Sequence, residues 1–472
     1  MKNKFYITTP IYYVNAQPHI GHTYTTVAAD VLARHHRLIG DEVFFLTGTD
    51  EHGAKIQQKA DVAGKDPKFF VDEIVASYHK AWKELSISND KFIRTTDENH
   101  KLAVQNALQK MYDKGDIYLD KYEGLYCTGC EQFKNEKDLV GGLCPDHNTE
   151  PEKMCEDTYV FKMSKYSDRL LQKIKSDEYK IIPVERKHEI VNFYEKEGLN
   201  DISFSRKNVK WGIPLPWDTS HTAYVWSDAF LNYLTGLGWD GVDGAPDMFP
   251  PEVQLMSKDI LRVHTTIWPA MLLSLDMPLP KQLFVHGFFL VDGQKMSKSI
   301  GNVIGPSELI AKYGVDASRY LIMSSIAMGR DGDIGWEKFD DKFNADLANG
   351  LGNLVARVSN MLEKGEVEVA IVANSDQELI DKFNVNIDNF LFNETLLLLW
   401  DKVRESDEYI SKTTPWKIKE KDELKKVLEP VAQNILNIAE LLQPFMPETA
   451  SKIIAQFSEK QIKKGEALFP RL

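Results

Sequence analysis

The stretch from Lys4 to Gly53 constrains the fold most. "KFYITTPIYYV" is apolar and rich in β-branched and aromatic residues, and reads as a strand. From Tyr24, apolar residues recur at Val27, Ala28, Val31 and Leu32, the spacing of one helix face. Gly40-Asp41 stops that period, "EVFFL" starts a second strand, and "TGTDEHG" is the loop after it. Parallel strands need a crossover connection, usually a helix, whereas antiparallel neighbours can be joined by a hairpin. Strand, helix and strand in this order therefore predict a right-handed βαβ unit of a parallel sheet, a Rossmann-like α/β fold. In such sheets ligands sit beyond the carboxyl ends of the strands. Both "NAQPHIGHTY" and "TGTDEHG" fall there.

A helix N-terminus carries unsatisfied N–H groups and a partial positive charge, so it attracts phosphate. His19 and His22 can donate hydrogen bonds to phosphate oxygens, and Gly21 lets a nucleotide lie against the backbone. Taken alone, the pair reads equally well as two ordinary polar residues near a helix start. Far along the chain, "VDGQKMSKSIGN" sets Lys295 and Lys298 on a Ser-containing loop between Gly293 and Gly301. Two lysines on a mobile loop can neutralise a leaving pyrophosphate, although such a loop by itself is usually solvated surface. There is no G-x-x-x-x-G-K-[ST] phosphate loop. "GLGWDG" at Gly236–Gly241 matches G-x-G-x-x-G, but it follows a helix-like run and opens no helix, so it reads as a turn.

The four cysteines, Cys127, Cys130, Cys144 and Cys155, lie in one short window, which points to metal rather than to a disulfide framework. Cys127-x2-Cys130 and Cys144-x2-His147 have zinc-knuckle spacing. Four protein ligands leave no open position, so the zinc, one per chain, would be structural. Cys155 is the leftover and could replace His147; buried free thiols are the plainer alternative.

At 472 residues the chain is long enough for about three domains. Residues 116–215 break the α/β pattern and read as an insertion carrying the cysteines. "VQLM" and "QLFVHGFFLV" return to strand character. From about Asn344 the chain looks helical, with Leu347, Leu351, Leu354, Val355, Val358 and Leu362 on one apolar stripe. A net charge of −13 argues against non-specific nucleic-acid binding, but leaves room for a local surface that fits a structured RNA. No apolar run is long enough to span a bilayer and no signal or transit character is visible, so no membrane and a cytoplasmic location are expected.

HxGH after the first strand and KMSKS after a late one together resemble the class I aminoacyl-tRNA synthetases. "TPIYYVNAQPHIGH", "TGTDEHG", "YVWSDAF", "SKDILRVHTTIWPAML", "HGFFLVDGQKMSKS" and the knuckle are similar, over essentially the whole chain, to the methionyl-tRNA synthetase family. One departure is Ala16-Gln17-Pro18, where many members have glycine after the asparagine; it implies a changed turn rather than lost function. The resemblance implies a ligase that activates L-methionine with Mg2+-ATP and transfers it to tRNA(Met), initiator and elongator. It divides the chain into the first half of the catalytic domain (1–115), a connective insertion with the knuckle (116–215), the second half with the KMSKS and stem-contact region (216–343), and an α-helical anticodon-binding domain (344–472). Ending on the helical domain, without the C-terminal dimerisation module that some members carry, points to a monomer.

Carried over by motif position, the family's catalytic residues are His19, His22, Lys295 and Lys298. ATP would be held by these with Gly21, Asp259 on the ribose, and His286. Methionine would be held by Ile11, Tyr13, Asp50, Trp226, Ala229, Tyr233, Ile260 and His264. A thioether packs well on aromatic edges, and a substrate ammonium needs a carboxylate such as Asp50. Without the family, Trp226, Tyr233 and Ile260 would read as plain core. Asn353 and Arg357, four apart on one helix face, and Trp416 would meet the anticodon. Thr414 is expected to cap a helix with Pro415 in its first turn, and Trp416 could equally plug a gap in the bundle. Rival readings are a class I synthetase for leucine, isoleucine, valine or cysteine, a non-catalytic RNA-binding paralogue, and a nucleotidyltransferase without a tRNA role. The insertion looks too short for the editing domain of the first three synthetases. The cysteine enzyme would need zinc in its amino-acid pocket, the paralogue should lose the KMSKS lysines, and the nucleotidyltransferase leaves the long helical region unexplained.

Overall fold

The computed structural model describes residues 2–127, 132–134, 136, 139–145, 148–207, 209–291, 293–296 and 301–472, and for 122–123, 132–134, 154–156 and 295 the backbone alone. The chain divides into two compact units. The first comprises Met1–Pro18, Asp41–Lys80 and Ser88–Val285, and the second His19–Gly40, Ala81–Ile87 and His286–Leu472.

The first unit is built on a six-stranded sheet in the order Lys91–Arg94, Glu42–Asp50, Lys4–Tyr13, Val253–Ser257, Gln282–His286, Lys180–Ile182. Lys4–Tyr13 runs parallel to both its neighbours, Glu42–Asp50 parallel to Lys91–Arg94, and Gln282–His286 parallel to Lys180–Ile182. Phe5, Tyr6, Ile7, Thr8 and Thr9 are all buried, as expected of a central strand covered on both faces. The register slips between Thr8 and Ile11, around Pro10, which has no N–H to give to a ladder. Beyond the slip, Ile11 pairs with Gly48 and Tyr13 with Asp50. Gly48 has to be glycine, because a Cβ there would lie 2.1 Å from the Ile93 carbonyl oxygen. Tyr13 and Asp50 thus lie side by side where both strands end.

The insertion forms its own four-stranded antiparallel sheet, ordered Gln132–Lys134, Ile117–Cys127, Glu152–Phe161, Ile202–Ser203. Lys180–Ile182 lies inside the same sequence segment, yet it pairs into the main sheet.

In the second unit Ile20–Leu38 is the helix that the apolar period predicts, and Tyr24, Val27, Ala28, Val31 and Leu32 are all buried. It ends at Ile39, and Gly40 takes φ 94°, a left-handed turn that only glycine adopts without strain. A small sheet orders Gln294–Lys295, Phe289–Val291 and Gly332–Ile334. After the helix Val315–Ser324, the rest of the chain is mainly helical. Trp336–Lys342 runs into a π-helix, Phe343–Gly352, which continues as the α-helix Asn353–Lys364. Gln377–Asp388, Phe392–Thr413, Lys421–Leu442 and Pro447–Phe457 follow. All six residues of the predicted stripe from Leu347 to Leu362 are buried. None of the described helices is long and apolar enough to cross a membrane.

Candidate active site

His19 is the N-cap of Ile20–Leu38, with extended backbone. Its Nδ1 accepts from Gly21 N at 3.0 Å, and His22 Nδ1 accepts from His19 N at 3.2 Å. The two rings stack at 3.9 Å between centroids. Burial, and then the neighbouring His19, push the His22 pKa well below the ordinary value. A neutral imidazole whose Nδ1 accepts carries its proton on Nε2. The backbone thus orients both histidines as Nε2–H donors at a helix N-terminus. Gly21 is tight as well, since a Cβ would lie 2.9 Å from the His19 ring.

The backbone that follows the lysines reaches this same helix start. Ile20 N donates to the Ile304 carbonyl at 2.9 Å, which ties the backbone just after KMSKS to the first turn after HxGH. Gly293 and Gly301 both adopt positive φ, 70° and 75°, at the two sides of the loop. Asp333 Oδ1 accepts from Gly293 N at 2.8 Å, and the Asp333 carboxylate pairs with Lys338. Lys295 ends the short strand Gln294–Lys295, and Lys298 lies outside the described residues. His286 is buried. Its Nδ1–H donates to the Gly287 carbonyl at 2.7 Å and its Nε2 accepts from Thr25 Oγ1 at 2.7 Å. With both nitrogens engaged, His286 braces the HxGH helix through Thr25.

The residues assigned to methionine all belong to the first unit. Ala229, Tyr233 and His264 are buried, while Ile11, Trp226 and Ile260 are partly buried against the same core that contains Tyr233. His264 Nδ1–H donates to the Ile260 carbonyl at 2.9 Å, and Nε2 accepts from Tyr233 Oη at 2.9 Å. Burial pushes the His264 pKa down to about 4, so the ring is neutral at pH 7. Phe230 meets His264 edge-on and stacks on Trp268. Asp50 is buried at the end of Glu42–Asp50. Asp259 is exposed at the carboxyl end of Val253–Ser257 and accepts from Ser257 Oγ.

A triad absent from the sequence reading holds this region together. Asp228 is buried in the helix Val225–Ala229, between Trp226 and Ala229. Its carboxylate accepts from His52 Nδ1 at 2.6 Å and from His100 Nε2 at 2.8 Å, and His100 Nδ1 accepts from Thr235 Oγ1 at 2.7 Å. Burial pushes the carboxyl up; the two imidazoles more than offset it and hold Asp228 below the ordinary carboxylate range. The loop that begins at Asp50 is therefore pinned to the helix that carries Trp226 and Ala229. The signal available was an aspartate inside the otherwise apolar run "YVWSDAF".

In the helical region Asn353 is exposed, and the Arg357 Nη1 atom pairs with Asp407 Oδ1 at 3.1 Å. The Arg357 guanidinium lies 5.9 Å from the centre of the Trp416 ring, and Trp416 is 55% exposed, so it does not plug the bundle. Thr414 stands at the N-cap of the short 3-10 helix Pro415–Lys417 with Pro415 in its first turn, as expected, but it also closes the helix Phe392–Thr413 in the left-handed region and its side chain makes no cap bond. Of the zinc candidates, Cys127 and Cys144 are 1% and 0% exposed, whereas Val140 on the same hairpin as Cys144 is 71% exposed. A thiol as deep as that of Cys144 in so exposed a hairpin fits a metal-ligand role. Cys130 and His147 lie outside the described residues, and of Cys155 the backbone alone is described, opposite Glu123. Among the described residues no group of three or more His, Cys, Asp or Glu is arranged to hold a metal.

A family model described as tRNA synthetases class I (M) matches residues 5–157 and 146–359. A methionine–tRNA ligase of Clostridium acetobutylicum is 46% identical over 100% of this chain and 78% of its own length. That of Bacillus subtilis is 40% identical over the same shares. This chain belongs to the methionine–tRNA ligase family. Among solved structures of the family, Mycobacterium tuberculosis methionyl-tRNA synthetase in complex with methionyl-adenylate matches with a TM-score of 0.93 and 34% identity, over 100% of both chains. The apo form from the same organism matches at 0.85 and 31%, over 100% of this chain and 99% of that one.

Proposed function

We propose that this member of the methionine–tRNA ligases activates L-methionine with Mg2+-ATP and transfers the methionyl group to the terminal adenosine of tRNA(Met), initiator and elongator alike. No enzyme nucleophile is needed. The methionine carboxylate attacks the α-phosphate, and the protein holds the two reactants and stabilises charge that develops as pyrophosphate leaves. Asp50 pairs with the substrate ammonium. Ile11, Tyr13, Trp226, Ala229, Tyr233, Ile260 and His264 surround the thioether. A neutral His264, locked between Ile260 and Tyr233, keeps this apolar pocket free of a positive charge. Asp259 binds the ribose, and His19, Gly21 and His22 the phosphates. His286 acts on them indirectly, through Thr25. Lys295 and Lys298 neutralise the leaving pyrophosphate.

The observation that carries the reading is the backbone bonding of both HxGH histidines, which turns two Nε2–H donors into a fixed phosphate cradle. Cys127, Cys130, Cys144 and His147, or Cys155 in place of His147, would hold one zinc ion, which supplies a cross-link within the insertion and takes no part in catalysis. Asn353, Arg357 and Trp416 would read the anticodon. The four-part domain division, action in the cytoplasm without a membrane, and a monomeric state belong to the same proposal. The deciding measurement is amino-acid-dependent ATP–pyrophosphate exchange, with methionine alone expected to support it. Exchange driven by leucine, isoleucine, valine or cysteine instead would overturn the substrate. Lys298→Ala should lower kcat far more than it raises the methionine KM. Loss of one transition-state charge contact is worth about 3–4 kcal/mol by analogy with an oxyanion donor. Unchanged exchange in that variant would remove Lys298 from the mechanism.

A further inference from the structure

Arg319, in the helix Val315–Ser324, is fully buried, and its guanidinium joins three separate segments of the second unit. Nη2 pairs with Asp30 Oδ2 at 2.7 Å, on the helix that His19 opens. Nε donates to the Phe445 carbonyl at 2.8 Å and Nη2 also to the Pro444 carbonyl at 2.8 Å, in the turn before the helix Pro447–Phe457. Nη1 donates to the Leu85 carbonyl at 3.1 Å. Arg34 completes the cluster by pairing with Asp30 at 2.7 Å. Fold stability alone is a weak reason for such a pair. Well-packed apolar residues often replace a buried ion pair at no loss, whereas the fork geometry of arginine fixes where several backbones lie.

The next residue faces the other way. Tyr320 Oη donates to Asp346 Oδ2 at 2.7 Å, and its ring stacks on Trp400 at 4.4 Å. Trp400 Nε1 donates to the Asp346 carbonyl at 3.0 Å. Asp346 lies in the π-helix Phe343–Gly352, which leads without a break into Asn353 and Arg357. π segments inside α-helices are concentrated at functional positions. A change of one residue in the register of this segment would turn the following helix by about 100°. Side-chain contacts and continuous helix backbone together therefore link Trp416 and Arg357, through Asp346, Tyr320 and Arg319, to Asp30 and the helix headed by His19 and His22.

We propose that Arg319 and Tyr320 are positioning residues that carry engagement of the tRNA anticodon, through the π-helix, to the pose of the HxGH histidines. This rests on the reading of Asn353, Arg357 and Trp416 as the anticodon contact. A chain of contacts is not itself coupling, so the test must read coupling directly. Three quantities are measured for wild type, Tyr320→Phe and Arg319→Lys. They are pyrophosphate exchange without tRNA, tRNA affinity, and aminoacylation kcat at saturation with tRNA(Met) and with the same tRNA altered only in the anticodon. Tyr320→Phe keeps the stack on Trp400 and loses one hydrogen bond, so it should fold and keep exchange and affinity within about twofold. Its kcat preference for the correct anticodon should shrink about fivefold to a hundredfold, the usual span of coupling between sites. Arg319→Lys should do the same, and if it fails to fold the tyrosine variant still decides. Exchange and aminoacylation falling in parallel, or an intact kcat preference in Tyr320→Phe, overturns the proposal. If wild type itself shows no preference, the anticodon reading and this inference fall together; if wild type discriminates and Tyr320→Phe discriminates equally, this inference alone falls.

Discussion

His264 is neutral because it is buried with both ring nitrogens engaged, and that ties stability to pH. Its pKa falls from 6.5 to about 4 on folding, so between those values the unfolded chain binds the extra proton. The stabilising contribution is complete above pH 6.5 and is lost as pH falls through about 4. Over that window it amounts to about 3 kcal/mol for this one group. Burial of His22 acts in the same direction. The urea midpoint should therefore fall between pH 7 and pH 4.5, and His264→Asn should flatten that fall; equal slopes in the two proteins would exclude His264 as the source. Asp228 makes a second residue-scale prediction. In Asp228→Asn the amide oxygen can still accept, but a charge-assisted bond worth about 1.5–3 kcal/mol is lost. Methionine KM in exchange should rise about tenfold or more, with tRNA affinity unchanged; an unaltered KM would leave the triad a purely structural device. The HxGH histidines were legible because they are neighbours at a helix start. The triad was not, because Asp228 lies 176 residues from His52 and 128 from His100, with no spacing to betray the contact.

Elements of regular period and ordinary length could be read directly. Lys4–Tyr13, Glu42–Asp50 and Ile20–Leu38 each carry the pattern of their own geometry. Lys180–Ile182 could not be read, because three residues inside a charged segment carry no period, and pairing with Gln282–His286 alone makes them a strand. The π-helix was hidden for the opposite reason. Leu347 and Leu351, four apart, stay on the buried side whether the turn is α or π, so the stripe is the same in both. Thr414 was read only in part, because the same residue that starts the 3-10 helix Pro415–Lys417 also ends the helix Phe392–Thr413, in a left-handed conformation that leaves its side chain without a cap bond. The insertion carries the element-scale prediction. Its hairpin exposes Val140 yet buries Cys144, so a bound ion rather than an apolar core should hold it. Purified protein should contain one zinc per chain. Cys127→Ser should lose the metal and lower aminoacylation, with any change in exchange secondary to the loosened insertion. Wild-type protein free of zinc or a comparable metal would remove the site.

At the scale of the molecule the question is how an acidic chain selects one RNA. A net charge of −13 gives no broad attraction for phosphates, so selection has to rest on a few specific contacts. Trp416 offers such a contact. Its ring is more than half exposed, and the Arg357 guanidinium beside it is oriented by Asp407. Single-stranded loop bases are recognised by stacking on aromatics and by hydrogen bonds to base edges. On the reading proposed above, Trp416 would supply the first, and Asn353 and Arg357 the second. A stacked base is worth about 1–3 kcal/mol, or roughly tenfold to a hundredfold in affinity. Trp416 belongs to the second compact unit, and the residues proposed to hold methionine belong to the first. Trp416→Ala should therefore weaken tRNA binding and aminoacylation by at least that factor, while methionine-dependent pyrophosphate exchange stays within about twofold of wild type. Because Trp416 is exposed, the substitution should leave the fold intact, since surface substitutions usually shift stability by no more than about 0.5 kcal/mol. Equal loss of both activities would nevertheless mean that Trp416 supports the fold, and selection would then have to come from other residues of the helical region.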